Sequence, residues 1–224
     1  TYSDFFSKPD ESVPDSYVDA LLKEFNHKIS ENKIKSFFSV YFGGGTPSLL
    51  NENQIQLLLK NILPFTKKNT EITFECNCDD INMEFLFFLK KVGVNRISVG
   101  VQTFNEKSLG CIKRRANQEQ SFNALKVLSD FQKKVDDESF RVSVDFISGL
   151  PFSSKETLKK DLQIAVENKI SHISLYSLTL EENTPLYKDI ENGIIPFDDN
   201  LANEQWIIGR DFLLNNGYNE YEIS

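Results

Sequence analysis

Hydrophobic residues recur along the chain at two spacings, one typical of amphipathic helices and one typical of strands. Val18, Leu21, Leu22, Phe25 and Ile29 follow the helical spacing and predict a helix near the amino terminus. The same spacing predicts five further helices, at residues 55–62, 81–92, 122–131, 153–168 and 201–216.

Local signals mark the ends of two of these helices. Gly93 follows the helix at 81–92 and is expected to close it, because glycine readily adopts the positive φ of a helix C-terminus. Ser153 and Glu156 have the spacing of a capping box, which is expected to open the helix that runs to about Asn168.

Short hydrophobic stretches between the helices predict five strands. They lie at residues 37–42, 71–75, 96–102, 141–147 and 172–178. Strands that alternate with helices are typical of right-handed crossovers and a parallel sheet. The sequence therefore predicts one α/β domain.

Four of the five strands carry polar or small residues on one face, where a parallel sheet covered on both sides would be hydrophobic. The strand at 96–102, for example, alternates hydrophobic residues with Ser98 and Gln102. Glu75, Gln102 and Asp145 lie at or near the carboxyl ends of their strands, where parallel barrels collect their active-site residues. The pattern favours a barrel with a ligand site over the alternative, a packed barrel with a satisfied polar network.

Composition narrows the function classes. The chain has 224 residues, 40% hydrophobic and 26% charged, with a net charge of −8, so a nucleic-acid partner is not expected. The sequence shows neither an apolar stretch long enough for a membrane span nor a secretory signal. Three cysteines are too few for a disulfide framework, and a cytoplasmic location is expected. Because Met83 is the only methionine, the chain is expected to be a fragment or an excised domain.

A glycine-rich turn follows the first predicted strand, with the sequence Gly43-Gly44-Gly45-Thr46-Pro47. Glycines allow the backbone to approach a ligand closely. The turn matches neither the phosphate-binding Walker pattern nor the dinucleotide fingerprint. On its own it is weak evidence, since many such turns are only tight turns.

Several longer sequence blocks resemble those of a known protein family. The chain resembles the radical S-adenosylmethionine (SAM) family, in particular oxygen-independent coproporphyrinogen III oxidase and, best, the HemW-type haem chaperone. The resemblance rests on residues 41–50, 93–104, 144–151, 172–178, 184–187 and 217–224. It implies a partial parallel (β/α)6 barrel that lacks its first strand and binds S-adenosylmethionine beside a [4Fe–4S] cluster. Residues 1–224 would be the core barrel, with the upstream cluster segment and a C-terminal domain absent.

The resemblance also implies a set of cofactor-binding residues. Gly43, Gly44, Gly45 and Thr46 would hold the methionine part of S-adenosylmethionine, and Arg114 would pair with its carboxylate. By the same resemblance, Glu75 would be an acidic contact, Gln102 a ribose-side amide and Asp145 the ribose carboxylate. Thr179 and Tyr2 would be two outlying contacts.

The chain departs from the family at the cluster, which three cysteines spaced C-x3-C-x2-C hold in the relatives. Ser3 stands where the third cysteine belongs, either through an engineered change or in a natural relative that has lost its cluster. Cys76 and Cys78 are expected to be free thiols rather than replacement ligands, and Cys111 is expected to pack in a helical turn. Cys78 and Ala116 also replace a proline and a histidine that the family usually has. No metal site and no reductive cleavage of the cofactor are therefore expected.

Three functions follow from the resemblance. The first is a haem chaperone, which would bind haem and pass it to a client protein. The second is an oxidase that decarboxylates coproporphyrinogen III, although this acidic chain shows no Arg/Lys cluster to receive the four substrate carboxylates. The third is a degenerate module kept for binding a partner. His27 and His172 are the only histidines that could ligate haem iron, and each is expected to be structural.

Overall fold

The computed structural model describes residues 12–135, 137 and 139–222. The strands in this part of the chain are Ser39–Phe42 (β1), Glu71–Asn77 (β2), Arg96–Gln102 (β3), Arg141–Ser148 (β4) and His172–Ser177 (β5). The helices are Asp15–Glu31 (α1), Glu52–Ile62 (α2), Met83–Lys91 (α3), Glu106–Cys111 (α4), Gln118–Val135 (α5), Lys155–Glu167 (α6), Pro185–Glu191 (α7) and Asp199–Asn215 (α8).

The five strands form one parallel sheet in the order β1-β2-β3-β4-β5. Each crossover thus adds its strand on the same side of the previous one. A doubly wound sheet would instead reverse its strand order at a switch point, whereas sequential winding is that of a barrel wall. The α/β class and the barrel-type winding predicted from the sequence are confirmed.

The hydrophobic core lies between the sheet and its helices. The residues of β2, β3 and β4 that face it are fully buried, as are their partners on α3, α5 and α6. The largest of these side chains are Phe74, Ile97, Phe146, Leu86, Leu89, Leu125, Leu128, Phe131, Leu158 and Leu162. The other face of the same strands carries the polar residues. Because the helices pack against the hydrophobic face, the polar face is the one that can hold a ligand site.

The sequence missed α4 and α7, which have six and seven residues. Elements this short span two turns or fewer and do not develop a hydrophobic period. Asn105 and Thr184, whose side chains accept a hydrogen bond from the backbone at Ser108 and Tyr187, cap these helices.

The predicted capping box at Ser153 is wrong by one residue. The side chain of Ser154 caps α6 by accepting a hydrogen bond from the Thr157 N–H at 3.1 Å. Ser153 is used elsewhere, because its hydroxyl accepts a hydrogen bond from Gln205 Nε2 at 3.1 Å. A tertiary contact thus decided which of two adjacent serines became the cap.

A carboxylate is buried on α6. Asp161 accepts hydrogen bonds from Thr103 Oγ1 at 2.6 Å and from the Phe104 N–H at 3.2 Å. Burial raises the pKa of Asp161 to about 6, although both hydrogen bonds act to lower it.

This raised pKa predicts a pH-dependent stability. Between about pH 4 and pH 6 the folded protein keeps the Asp161 proton that the unfolded chain has lost, so the free energy of unfolding falls as pH rises. Over two pKa units the change amounts to roughly 3 kcal/mol. Denaturant titrations at pH 4.5 and pH 7 should therefore show that Asp161→Asn gains stability relative to the parent as pH rises. A stability difference that does not change with pH would contradict the prediction.

Candidate functional site

The polar face predicted from strand alternation is a hydrogen-bonded surface across β3, β4 and β5. The hydroxyls of Ser98 and Ser143 lie 3.0 Å apart, and Ser98 Oγ donates to Asp145 Oδ2 at 3.2 Å. Burial raises the pKa of Asp145, hydrogen bonds from Ser174 and Ser98 oppose the rise, and the negative charge of Glu75 adds to it. Glu75 and Asp145, which strand alternation placed on one face near the strand ends, therefore interact through their charges.

The glycine turn lies directly against Glu75. Tyr41 Oη donates to Glu75 Oε1 at 2.6 Å. A Cβ atom added at Gly43 would lie 2.6 Å from the Tyr41 ring and 3.1 Å from the Glu75 carboxyl carbon. A side chain at position 43 would thus displace Tyr41 and Glu75 from their present contact, and the φ of +110° at Gly44 favours glycine there. Burial and the bond to Glu75 raise the pKa of Tyr41, which keeps the hydroxyl a donor.

Gln102 and Arg114 meet at the end of β3. Arg114 Nη2 donates to Asn77 Oδ1 and to the Gly100 carbonyl, both at 2.8 Å. A Cβ atom at Gly100 would lie 2.7 Å from Gln102 Nε2 and 2.9 Å from Arg114 Nη2. The guanidinium is therefore held at the carboxyl edge beside the Gln102 amide, and a larger residue at position 100 would displace one or both of these side-chain ends.

An ion-pair cluster joins the loops that follow β1, β2 and α4. Arg115 pairs with Asp79 at 2.7 Å and with Asp80 at 2.6 Å. Ser48 Oγ donates to the other oxygen of Asp80 at 2.5 Å. The glycine turn, which ends at Ser48, is thereby tied to the turn that follows β2.

The structure brings together most of the sequence-predicted site. Gly43 follows β1, Gln102 ends β3, and Glu75 and Asp145 lie two and three residues before the ends of β2 and β4. Arg114 reaches the end of β3 from the loop that follows α4, and Gly44, Gly45 and Thr46 continue the glycine turn. Thr179 lies two residues beyond β5. Tyr2 and Ser3 lie outside the described residues.

Sequence reasoning missed Tyr41, Asn77 and Ser174 as neighbours of this site. Tyr41 and Ser174 share the polar face with Glu75 and Asp145, so strand alternation alone could have found them. Asn77 was missed because β2 runs two residues beyond the predicted end at Glu75.

The cysteines do not form a metal site. Cys76, Cys78 and Cys111 are free, the first two buried in the core and the third at the end of α4. Within residues 12–135, 137 and 139–222, no group of three or more His, Cys, Asp or Glu side chains could hold a metal ion. The described residues thus do not fit an iron–sulfur cluster, and the loss of the cluster ligand at Ser3 stays a prediction.

The two histidines have different surroundings. His27 is exposed on α1, with Nε2 3.9 Å from Glu31. His172 lies at the amino end of β5, where Nε2 is hydrogen bonded to Tyr221 Oη at 2.5 Å. Burial and the neighbouring Arg96 lower the pKa of His172.

Fold and site together define a class of protein. A parallel barrel wall here carries two carboxylates, an amide, a guanidinium and a glycine turn near one edge, which is the edge where parallel barrels collect their ligand-binding groups. A family model, the radical SAM superfamily, matches residues 10–165. The chain belongs to the radical SAM superfamily.

Individual proteins show a closer likeness. The heme chaperone HemW of Buchnera aphidicola subsp. Schizaphis graminum is 37% identical over 100% of this chain and 58% of its own length. The heme chaperone HemW of Escherichia coli is 34% identical over 94% of this chain and 54% of its own length. Among solved structures, coproporphyrinogen III oxidase (HemN) of Escherichia coli superposes with a TM-score of 0.77 and 25% identity, over 92% of this chain and 46% of that one.

Each match covers only part of the relative's length. The chain spans somewhat more than half the length of the curated HemW relatives it matches. No helix in the part that the structure describes is both long and apolar enough to cross a membrane.

Proposed function

We propose that this chain binds S-adenosylmethionine at the carboxyl edge of its sheet and that it is the barrel of a HemW-type haem chaperone. The observation that carries the proposal is a shared polar face near the carboxyl ends of β2, β3 and β4, where Glu75 lies against the glycine turn and interacts with Asp145, and where Gln102 and Arg114 meet over Gly100. Strand alternation singled out three of these residues independently of the family resemblance. Two separate features of the sequence thus support one site.

Each group of the site has a matching group on the cofactor. Glu75 would accept hydrogen bonds from the amine of the methionine part. A carboxylate has several acceptor positions, and Tyr41 occupies only one of them. Arg114 would pair with the cofactor carboxylate, and Asp145 with Gln102 would accept and donate to the ribose hydroxyls. The glycine turn would let the backbone approach the methionine chain closely.

Cleavage of the bound cofactor would need an iron–sulfur cluster, for which the described residues supply no ligand set. S-adenosylmethionine carries a sulfonium centre that a reduced iron–sulfur cluster can cleave. No ligand set for such a cluster exists in the described part of the chain. The residues here would therefore bind and orient the cofactor without cleaving it by themselves.

Haem delivery is favoured over oxidation of coproporphyrinogen by the stronger likeness to HemW. Identity to HemW relatives reaches 37%, against 25% to the oxidase structure. The oxidase remains the second candidate because its structure superposes on nearly the whole chain. Haem delivery is the named function of relatives of which this chain spans somewhat more than half the length, so the client protein and the haem site stay outside the proposal.

A titration of the full-length protein separates the two candidates. We expect haem to bind saturably, with a Soret band that reaches a plateau, and coproporphyrinogen III to remain unchanged in the same preparation. Equilibrium dialysis with labelled S-adenosylmethionine should show one bound molecule per chain. Turnover of coproporphyrinogen would replace the chaperone with the oxidase, and absence of S-adenosylmethionine binding would remove the cofactor site itself.

A further inference from the structure

The backbone turns sharply at Gln102, where β3 ends. Gln102 has a φ of +68°, in the left-handed region that residues other than glycine seldom adopt. The Thr103 N–H donates to the Val101 carbonyl at 2.8 Å across it. This bond around a central residue of positive φ defines a γ-turn of the rare and strained form. Such a turn persists only where its surroundings hold it in place.

The group that holds this turn is the buried carboxylate of α6. Asp161 accepts a hydrogen bond from Thr103 Oγ1 at 2.6 Å and one from the Phe104 N–H at 3.2 Å. Asp161 is 4% exposed, Thr103 is 1% exposed and Phe104 is 3% exposed. Neither partner is a cation, so burial of this carboxylate costs free energy that its two hydrogen bonds must offset.

Other contacts fix the residues that follow the turn. The Phe104 carbonyl accepts a hydrogen bond from Gln118 Nε2 at 2.5 Å. The Phe104 ring stacks on Phe122 with centroids 4.6 Å apart. The Asn105 N–H donates to Thr103 Oγ1 at 3.0 Å, so the Thr103 hydroxyl bridges Asp161 and the start of α4. With both sides of the turn held, the direction of the Gln102 side chain is set.

That direction leads into the candidate cofactor site. The Gln102 amide folds back over Gly100, where an added Cβ would lie 2.7 Å from Gln102 Nε2 and 2.9 Å from Arg114 Nη2. An extended residue at this position would stay on the polar face but carry its amide onward along the strand direction, whereas the γ-turn folds the amide back over Gly100. The γ-turn therefore decides whether the Gln102 amide lies beside Arg114.

We propose that Asp161 is a positioning residue of the cofactor site, holding through Thr103 and Phe104 the γ-turn that places the Gln102 amide beside Arg114. Asp161 itself lies on the helix side of the sheet and does not reach the site. The inference rests on the proposed function, because it takes S-adenosylmethionine as the ligand whose affinity reports the position of Gln102.

A double-mutant cycle in the full-length protein tests this arrangement. Gln102→Ala and Asp161→Ala should each weaken S-adenosylmethionine binding about 10-fold, the equivalent of one good hydrogen bond. The double variant should also lose about 10-fold rather than about 100-fold, because Asp161 acts only through Gln102. Asp161→Asn should stay within about threefold of the parent, since the amide oxygen can still accept a hydrogen bond from the Phe104 N–H and its NH₂ group can donate one to Thr103 Oγ1.

Asn95 offers a matched control. Its side chain also joins two backbone groups, accepting from the Ile72 N–H at 2.7 Å and donating to the Thr70 carbonyl at 2.9 Å, but at the amino ends of the strands. Asn95→Ala should lower stability and leave the affinity for S-adenosylmethionine unchanged. Should Asp161→Ala fail to fold, Thr103→Val removes one of the two bonds at nearly constant shape and replaces it in the cycle.

The outcomes separate the positioning role from the proposed function. Additive losses in the cycle, or an unchanged affinity of Asp161→Ala, would overturn the positioning role while S-adenosylmethionine binding stands. If the parent protein binds no S-adenosylmethionine, the proposed function fails and amide hydrogen exchange decides the role of Asp161. Asp161→Ala should then speed exchange at the Phe104 amide at least about 10-fold and leave Val99 in β3 unchanged. Unchanged exchange at Phe104 would overturn the inference.

Discussion

Asp145→Ala is expected to weaken S-adenosylmethionine binding about 100-fold. Asp145 lies on the polar face, where Ser98 and Ser174 already donate to it and Glu75 acts on its charge. A carboxylate that accepts two hydroxyl hydrogen bonds from a ribose would lose both upon truncation. Hydrogen bonds to a charged group contribute roughly 1.5 to 3 kcal/mol, and about 2.7 kcal/mol corresponds to 100-fold.

Calorimetry on the full-length protein measures this loss, and Glu71→Gln serves as the control. Glu71 is a carboxylate on the same face of β2 as Glu75, but it lies at the amino end and pairs with Arg96 at 3.0 Å. Its substitution should leave the affinity unchanged. Thermal unfolding of Asp145→Ala beside the parent separates a loss of binding from a loss of fold, since the variant leaves the Ser98 and Ser174 hydroxyls without this acceptor. An affinity of Asp145→Ala within twofold of the parent would remove Asp145 from the site.

Gly149→Ala is expected to lower the free energy of unfolding by about 3 kcal/mol. Gly149 follows β4 with a φ of +78°, and an added Cβ would lie 2.4 Å from Ala202 Cβ and 2.7 Å from its Cα. The backbone conformation costs about 1 kcal/mol for a residue with a side chain. The clash with the helix backbone of α8 adds roughly 1 to 3 kcal/mol. It would also disturb the hydrogen bond from the Gly149 N–H to Gln205 Oε1 at 2.7 Å.

Gly193→Ala separates the two causes. Gly193 has a similar φ of +69°, but no atom lies within 4 Å of an added Cβ. It should therefore cost only the backbone share, roughly 1 kcal/mol. Thermal unfolding of both variants should show the larger fall in melting temperature for Gly149→Ala, by roughly 4 to 8 °C beyond the control for a chain of this size. Equal falls would show that α8 does not pack as described.

The strands were the most predictable part of the fold. Every predicted strand exists, with ends that moved by at most two residues, as at the start of β1 and the end of β2. In a half-buried strand, hydrophobic and polar residues alternate with a period of two because successive side chains point to opposite faces. The two faces of these strands differ in polarity, so the alternation is visible in the sequence. Alternation by itself therefore places Glu75 and Asp145 on one face, at or near the carboxyl ends of their strands.

Side-chain partnerships were much less predictable. Ser153 and Ser154 are equivalent as capping candidates in the sequence, and the contact with Gln205 on α8, some 50 residues away, left Ser154 for the cap. The bond between Tyr41 and Glu75 crosses from one strand to the next, which a pattern within one strand does not contain.

The sequence by itself determined the α/β class, the sequential parallel strands, the polar face and the resemblance that led to a radical SAM barrel. These are local periods and ordered motifs, and a chain carries them whether or not it is folded. Only the tertiary structure decided that Arg114 meets Gln102 over Gly100 and that Asp161 holds the strained turn beside them. Both depend on contacts between residues distant in the chain, which exist only after the strands and helices have packed.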